Sequence, residues 1–169
     1  MVTKLNILSL LILGIPETLA LTIAAFAFSR ISLSWSRIIP VGFAMGLTIY
    51  AIRMLPLHFG FHTLFILLAL AIFTRIATNV PLSTTLKSAT VAVMILVASE
   101  FLMEVIVSFF LPALRDGMQA NNLLWLLLGW PPILIVLAVG VYSDYRNRRL
   151  PKKSYIHVPG EKTLPRFRR

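Results

Sequence analysis

The sequence contains no cysteine and few charged residues, and both deficits restrict what the protein can be. Without cysteine there are no disulfides, no thiolate metal sites and no cysteine nucleophiles. Charged residues make up 13% of the chain and hydrophobic residues 58%, whereas an ordinary soluble domain is about 25% charged. A soluble fold could not bury that much apolar surface. The composition therefore predicts an integral membrane protein surrounded by a lipid bilayer.

Sequence motifs for catalysis and for cofactor binding are also missing. The chain has no Gly-rich phosphate loop, no serine nucleophile elbow and no HExxH zinc helix. It also has no carboxylate-rich segment outside the apolar runs that could hold a catalytic metal. We therefore expect no enzymatic activity, no cofactor and no resident metal ion.

Long apolar runs are the main feature that the chain does have. A run of about 20 residues is long enough to cross a hydrocarbon core about 30 Å thick as an α-helix. We predict an all-α bundle of about five transmembrane helices within residues 1–145. Pro131 and Pro132 should kink or break the last helix. The predicted spans are residues 5–29, 38–55, 59–73, 87–110 and 123–142.

The net charge of +10 belongs mainly to the end of the chain, because nine of its sixteen Lys and Arg residues follow Tyr145. We predict a basic tail over residues 146–169 that contacts anionic lipid headgroups or a partner protein. Nucleic acid is not an expected partner, because the aromatic residues that would stack on bases lie inside the apolar spans. The predicted tail contacts are Arg146, Arg148, Arg149, Lys152, Lys153, Arg166, Arg168 and Arg169.

The distribution of Lys and Arg between the short loops predicts the orientation of the bundle. Cytoplasmic loops carry an excess of these residues. One side of the predicted bundle collects the tail together with Arg30, Arg37, Arg75 and Lys87, whereas the other side has Lys4, Arg53 and Arg115. We therefore expect a cytoplasmic C-terminus and an external N-terminus.

Four ionisable residues stand inside the apolar spans: Glu17, Arg53, Glu100 and Glu104. Each would cost about 2.5 to 3.5 kcal/mol at the centre of a membrane helix, so such groups usually face protein or water and find a partner. Glu100 and Glu104 are four residues apart and share one helix face. We expect the four residues to gather within the bundle. They would form an ion-pair cluster that fixes helix order, a site for a ligand or ion, or a set of interfacial positions.

Two further pairs of residues have helical spacing. His58 and His62 are four residues apart, which suits one helix face and a shared metal ion. Gly60 lies between them and no third ligand is nearby in the sequence, so polar caps at the membrane boundary are the simpler interpretation. Gly42 and Gly46 form a small-xxx-small pair, which predicts close packing of another helix.

Several short motifs mark the membrane region: Ile15-Pro16-Glu17, Ile52-Arg53-Met54-Leu55-Pro56, Phe59-Gly60-Phe61-His62-Thr63 and Ser99-Glu100. Over residues 10–142 the chain resembles the N-terminal membrane region of sensor histidine kinases from Gram-positive, spore-forming bacteria, of the sporulation-phosphotransferase-like or GHKL type. The resemblance implies an input module in the bacterial cytoplasmic membrane, with a kinase attached at its C-terminal end. The 24 residues after Tyr145 contain no phosphoacceptor hairpin and no ATP-binding domain. The chain would therefore signal through a cytoplasmic partner.

The sequence leaves three functions open. The first is a membrane sensor or regulatory module that acts through a partner protein. The second is a small transporter or an ion- or proton-conducting subunit that uses the paired carboxylates as a relay. The third is a membrane scaffold or a homo-oligomeric assembly protein.

Overall fold

The computed structural model describes residues 10–53, 61–110 and 126–149. Of these residues 91% are helical and none is in a strand. Five segments are long and apolar enough to cross a membrane, so the prediction of an all-α bundle of about five transmembrane helices is confirmed. The helices are α1 (Ile15–Phe28), α2 (Trp35–Arg53), α3 (Phe61–Thr78), α4 (Leu82–Phe110) and α5 (Trp130–Arg148).

Prolines shape the starts of the first and last helices. Residues 126–128 form a short helical turn, Gly129 breaks it, and Pro131 and Pro132 then lie in the first turn of α5. They are tolerated there because first-turn amides have no helical acceptor. Pro16 lies in the first turn of α1 and follows a π-helical segment, Leu10–Gly14. Proline has no N–H and its ring collides with the carbonyl four residues earlier, which accounts for the wider turn there.

The first helix lies at the centre of the bundle. In the first span 61% of residues are buried, against 22 to 33% in the other four, and α1 packs against α2, α3, α4 and α5. Its centre is built from small residues, with Ala20, Ala24, Ala25 and Ala27 all fully or almost fully buried. Helices in lipid associate through close packing, because lipid provides no hydrophobic drive between them. A central helix with short side chains allows its neighbours to approach closely.

Glycines mark the closest approaches of α2 and α5 to α1. An added Cβ at Gly140 of α5 would lie 3.0 Å from the Cα atom and 3.1 Å from the backbone nitrogen of Ala24. An added Cβ at Gly42 of α2 would lie 2.5 Å from Cδ2 of Leu19, whereas at Gly46 the nearest atom, Oγ1 of Thr18, is 3.5 Å away. Of these contacts, the one between Gly140 and Ala24 brings two helix backbones closest together. The contact surface between α1 and α5 is called here the α1–α5 seam.

The same contacts fix the directions of the helices. Gly129 lies against Leu13 and Gly140 against Ala24, so α5 runs parallel to α1. Gly42 meets Leu19 and Gly46 meets Ile15, so α2 runs antiparallel to α1. The ends of α1 and α5 therefore lie at one face of the bundle, called here the tail side. The 79–81 connection lies on this side too, because Ser88 near the start of α4 hydrogen bonds to Ser29 at the end of α1. The other face is the opposite side.

Both tail-side connections begin with a residue in the left-handed region. Arg30 has a φ of 55° and follows the end of α1, where Arg30 N–H donates to the Ala27 carbonyl and Ile31 N–H donates to that of Phe26. This is the Schellman arrangement, which usually has glycine or asparagine at the left-handed position. Asn79, at the end of α3, also has a φ of 55°. An arginine in this conformation costs about 1–2 kcal/mol relative to the right-handed region.

The α1–α5 seam predicts different outcomes for two glycine substitutions. Gly140→Ala should lower the free energy of unfolding by about 1–2 kcal/mol, since the clash with the Ala24 backbone outweighs the gain in helix propensity. Gly46→Ala is the matched control and should leave stability unchanged or slightly raised, because it makes only ordinary contacts. Thermal unfolding in detergent would measure both. Equal stability of the two variants would contradict the close approach of α5 to α1.

Candidate functional site

Glu17 lies at an irregular part of the central helix. It occupies the first turn of α1, directly after Pro16 and close to the π-helical segment Leu10–Gly14. Its side chain is half-buried. π-Helical turns inside membrane or soluble helices occur frequently at functional sites. Glu17 is therefore an ionisable group at a point where the backbone of the central helix leaves its regular register.

Glu17 and Glu100 lie at about the same depth in the bundle. Ser29 at the end of α1 hydrogen bonds to Ser88 near the start of α4, with 2.5 Å between the hydroxyl oxygens, and the two helices pack together in antiparallel directions. Glu17 precedes Ser29 by twelve residues and Glu100 follows Ser88 by twelve. Each is thus about 18 Å along its helix from the serine pair. Each carboxylate is thus nearer to the opposite-side end of its described helical segment, at Leu10 or Phe110, than to the tail-side end.

His62 also belongs to this layer. It is the second residue of α3 and is half-buried, and its Nδ1 atom is buried without a hydrogen-bond partner among the described residues. It precedes the tail-side connection at Asn79 by seventeen residues, and Glu100 follows the end of that connection, Pro81, by nineteen. Glu17, His62 and Glu100 are called here the carboxylate–histidine layer. The sequence predicted the two carboxylates as a site and His62 as a polar residue at the membrane boundary, and His62 does lie at the start of its candidate span, Phe61–Thr78.

The carboxylates of α4 point away from the centre of the bundle. Glu100 and Glu104 share one face of α4, and both side chains are exposed. This corrects the expectation that both are enclosed within the bundle. The buried face of the helix is formed instead by residues such as Leu96, Ser99 and Val107. Glu100 directly follows the buried Ser99, and its side chain is exposed. Glu104 lies among exposed apolar side chains, with Phe101 70% exposed.

The predicted cluster of four charges stays a prediction as a whole. Glu17 and Glu100 each have an interaction partner. Arg53 is the last residue of α2, and its side chain lies outside the described residues. Helix directions place the end of α2 at the opposite side, which is the half of the bundle that contains the carboxylate–histidine layer.

A metal site has no support in the described part of the chain. In residues 10–53, 61–110 and 126–149, no group of three or more His, Cys, Asp or Glu residues is arranged to hold a metal ion. His58, the proposed companion of His62, lies outside the described residues. The layer offers two carboxylates and an imidazole, which suit proton exchange or a cationic or polar ligand.

Three buried hydroxyl groups are satisfied within their own helices, whereas Thr74 Oγ1 is buried without a hydrogen-bond partner among the described residues. Thr22 donates to the Thr18 carbonyl at 2.7 Å, Thr78 to that of Thr74 at 2.6 Å, and Ser99 to that of Leu96 at 2.8 Å. A hydroxyl that donates to a carbonyl of the preceding turn satisfies its own polar group without a ligand. These three hydroxyl groups can therefore be buried in a membrane protein without a ligand. They do not add further polar groups to the carboxylate–histidine layer.

Asp144 is a buried acidic residue that sequence reasoning missed. It is 5% exposed, its Oδ2 accepts a hydrogen bond from Nε of Arg148 at 2.7 Å, and its Oδ1 has no hydrogen-bond partner among the described residues. The predicted last span ended at residue 142, so Asp144 lay within the predicted bundle of residues 1–145 but outside its spans. The spacing of four between Asp144 and Arg148 was the available signal, because it favours an ion pair on one helix face.

Asn147 joins the end of α5 to the end of α1. Its side-chain Nδ2 donates to the backbone carbonyl of Ala27 at 2.7 Å, and Gly140, Asp144 and Asn147 follow one another on the face of α5 that meets α1. The Ala27 carbonyl also accepts the Arg30 N–H of the cap, and a carbonyl oxygen can accept two hydrogen bonds. This bond therefore fixes the end of α5 on the central helix.

The other predicted residues fall into two groups. Gly42 and Gly46 lie on α2 where it faces α1, as described above. Arg146, Arg148 and Arg149 are exposed at the tail side, and Arg149 stacks over the ring of Tyr145 at 4.5 Å. The remaining predicted tail contacts lie outside the described residues, namely Lys152, Lys153, Arg166, Arg168 and Arg169.

The buried Asp144 predicts a difference between two neighbouring arginines. Arg148→Ala should destabilise the protein by about 1.5–3 kcal/mol, because it leaves a buried carboxylate without its charged donor. Arg149→Ala, an exposed control one residue further, should cost less than about 1 kcal/mol. Adding Asp144→Asn to Arg148→Ala should recover part of the loss, since the uncompensated charge is gone. Thermal unfolding of all four proteins gives the comparison, and equal losses for Arg148→Ala and Arg149→Ala would contradict it.

Comparison of the chain with protein-family models, with curated proteins and with solved structures finds no match. The resemblance to the membrane region of sensor histidine kinases therefore stays a prediction. The function has to be argued from the chain's own residues, and above all from the carboxylate–histidine layer and the α1–α5 seam.

Proposed function

We propose that the protein is a membrane sensor or regulatory module without catalytic activity of its own. A ligand, ion or lipid would bias the packing of the central helix at the carboxylate–histidine layer. The shift would pass along α1 to α5 and through α5 to the basic tail, which would act on a cytoplasmic partner. A signal can shift such a bundle only by its difference in affinity for two states.

The observation that carries this proposal is the way α5 is seated on α1. The contacts of Leu13 with Gly129, of Ala24 with Gly140 and of Ala27 with Asn147 run from the start of α1 to its end. Both helices run in the same direction, and the tail follows α5. A displacement of α1 near Glu17 therefore moves a surface against which the whole of α5 is packed.

The positions of the ionisable side chains also support transmission from the carboxylate–histidine layer to the tail side. Ionisable side chains from three helices lie toward the opposite side: Glu17 and Glu100 are about 18 Å along their helices from the tail-side serine pair, and His62 is the second residue of α3. Intramembrane ionisable residues usually mark functional sites. At the other end, Asn147 of α5 donates to the Ala27 carbonyl of α1, and Asp144 pairs with Arg148 within α5. An input region and an output region thus lie at the two ends of one helix pair.

The layer also supports a second candidate, a small transporter or proton-conducting subunit. Two carboxylates and a histidine at one depth are groups that exchange protons. Between the layer and the tail side, the hydroxyls of Thr18 and Thr22 on the central helix donate to carbonyls of that same helix. This arrangement favours the regulatory function, because a relay needs polar groups that exchange protons with one another across the membrane.

Hydrogen exchange tests the transmission directly. Glu17→Gln replaces the ionisable carboxyl group at the irregular turn of α1, and we expect it to change the exchange of the backbone amides of residues 144–148 by about tenfold, which corresponds to about 1.4 kcal/mol of local opening. Glu104→Gln is the matched control, because it removes an outward-facing carboxylate from α4 and should leave those amides unchanged. The measurement is made on the full chain in lipid nanodiscs by mass spectrometry.

Unchanged exchange at residues 144–148 in Glu17→Gln would reject transmission along the seam. Proton or cation flux into liposomes decides between the two candidate functions. Flux that the wild-type chain supports and that Glu17→Gln and Glu100→Gln abolish would replace the regulatory proposal by transport. Absence of flux together with altered exchange is the result we expect.

A further inference from the structure

The tail side of the bundle has a large excess of positive charge. Seven of the eight Lys and Arg residues in the described part of the chain lie there. The only described acidic residue on that side is Asp144, and its Oδ2 is held by Arg148. The seven cations are Arg30, Arg37, Arg75, Lys87, Arg146, Arg148 and Arg149. Such a surface requires anions from its surroundings.

Two of these cations are brought together by a buried hydrogen bond. Ser29 and Ser88 are 1% and 4% exposed, and their hydroxyl oxygens are 2.5 Å apart. Ser88 Oγ also lies 3.0 Å from the Thr85 carbonyl and 3.1 Å from that of Thr84, so Ser88 donates within its own helix while Ser29 donates to Ser88. Arg30 follows Ser29, Lys87 precedes Ser88, and both side chains are exposed. The serine pair thus places two exposed cations at the junction of α1 and α4.

The backbone at Arg30 gives an independent reason to ask what this side chain does. Arg30 occupies the left-handed position of a Schellman cap, where glycine or asparagine is preferred. The equivalent position after α3 has the preferred residue type, Asn79. The cap itself does not need an arginine, and a non-glycine residue held at positive φ is a reason to suspect a functional constraint.

The surroundings of the pair indicate the chemistry of the ligand. The junction lies at the surface of a membrane-spanning bundle, where the neighbouring molecules are lipid headgroups. Trp35, 66% exposed at the start of α2 on the same side, is the type of residue that lies at the headgroup level. Basic pockets between transmembrane helices at this level bind anionic headgroups. Arg and Lys both donate hydrogen bonds to phosphate, and Arg does so in a forked geometry.

We propose that Arg30 and Lys87 form a binding site for the headgroup phosphate of an anionic phospholipid at the α1–α4 junction. The serine pair holds the two backbones in place, and the long side chains reach the phosphate from either side. The site is separate from the carboxylate–histidine layer and does not depend on the function proposed above. Binding there would stabilise the packing of α4 against the central helix.

The test measures binding of phosphatidylglycerol to the purified full chain, with phosphatidylcholine as the neutral reference, by native mass spectrometry and thermal unfolding. We expect wild type to retain phosphatidylglycerol and to gain stability from it. Lys87→Gln and Arg30→Gly should each bind it about fivefold more weakly, as the loss of one basic residue near an anionic headgroup implies. Arg75→Gln is the matched control, because it removes an exposed tail-side cation at the end of α3, and it should bind like wild type.

Arg30→Gly separates binding from folding. Glycine suits the left-handed cap better than arginine, so this variant should be at least as stable as wild type in phosphatidylcholine while it loses the gain from phosphatidylglycerol. Wild-type binding by Arg30→Gly or Lys87→Gln would overturn the site. An equal loss in Arg75→Gln would assign the effect to diffuse surface charge. Displacement of the lipid by inorganic phosphate at equal concentration would assign the site to free phosphate.

Discussion

Helices in a bilayer have no water to drive them together, so the bundle depends on how closely backbones can pack around its central helix. This packing is tightest where Ala24 contacts Gly140. An added Cβ at Gly140 would lie 3.0 Å from the Cα atom of Ala24. Ala20, Ala25 and Ala27 extend the same narrow surface along α1. The position of α5, and with it the placement of Asp144 and Asn147, follows from this contact.

The number and nature of the helices could be predicted from composition and run length, because a hydrocarbon core about 30 Å thick fixes the length that an apolar segment must have. Their ends could not be predicted as well. α2 begins at Trp35 and contains Pro40 inside the helix, whereas the predicted span began at 38 so that this proline would fall in the first turn. α5 extends to Arg148, beyond its apolar part, because the Asp144–Arg148 pair and the bond from Asn147 to Ala27 stabilise its last turns.

For the candidate site too, the sequence pattern predicts some features and not others. The spacing of Glu100 and Glu104 correctly indicates a shared face of α4. It does not indicate which way that face points, because α4 is apolar almost all round and has no polar stripe to mark its outer side. The common depth of Glu17, His62 and Glu100 arises from the pairing of Ser29 with Ser88 and from the direction of each helix, which only the three-dimensional arrangement provides.

The parallel seating of α5 on α1 has a consequence for biosynthesis. The ribosome releases the central helix before any of the four helices that surround it, and the last of them to emerge is the one that covers Ala24. Until then, the alanine surface of α1 lies against lipid, the translocation machinery or an incomplete set of neighbours. The packing around the central helix is therefore completed only when α5, which is synthesised after the other four described helices, covers Ala24 of α1.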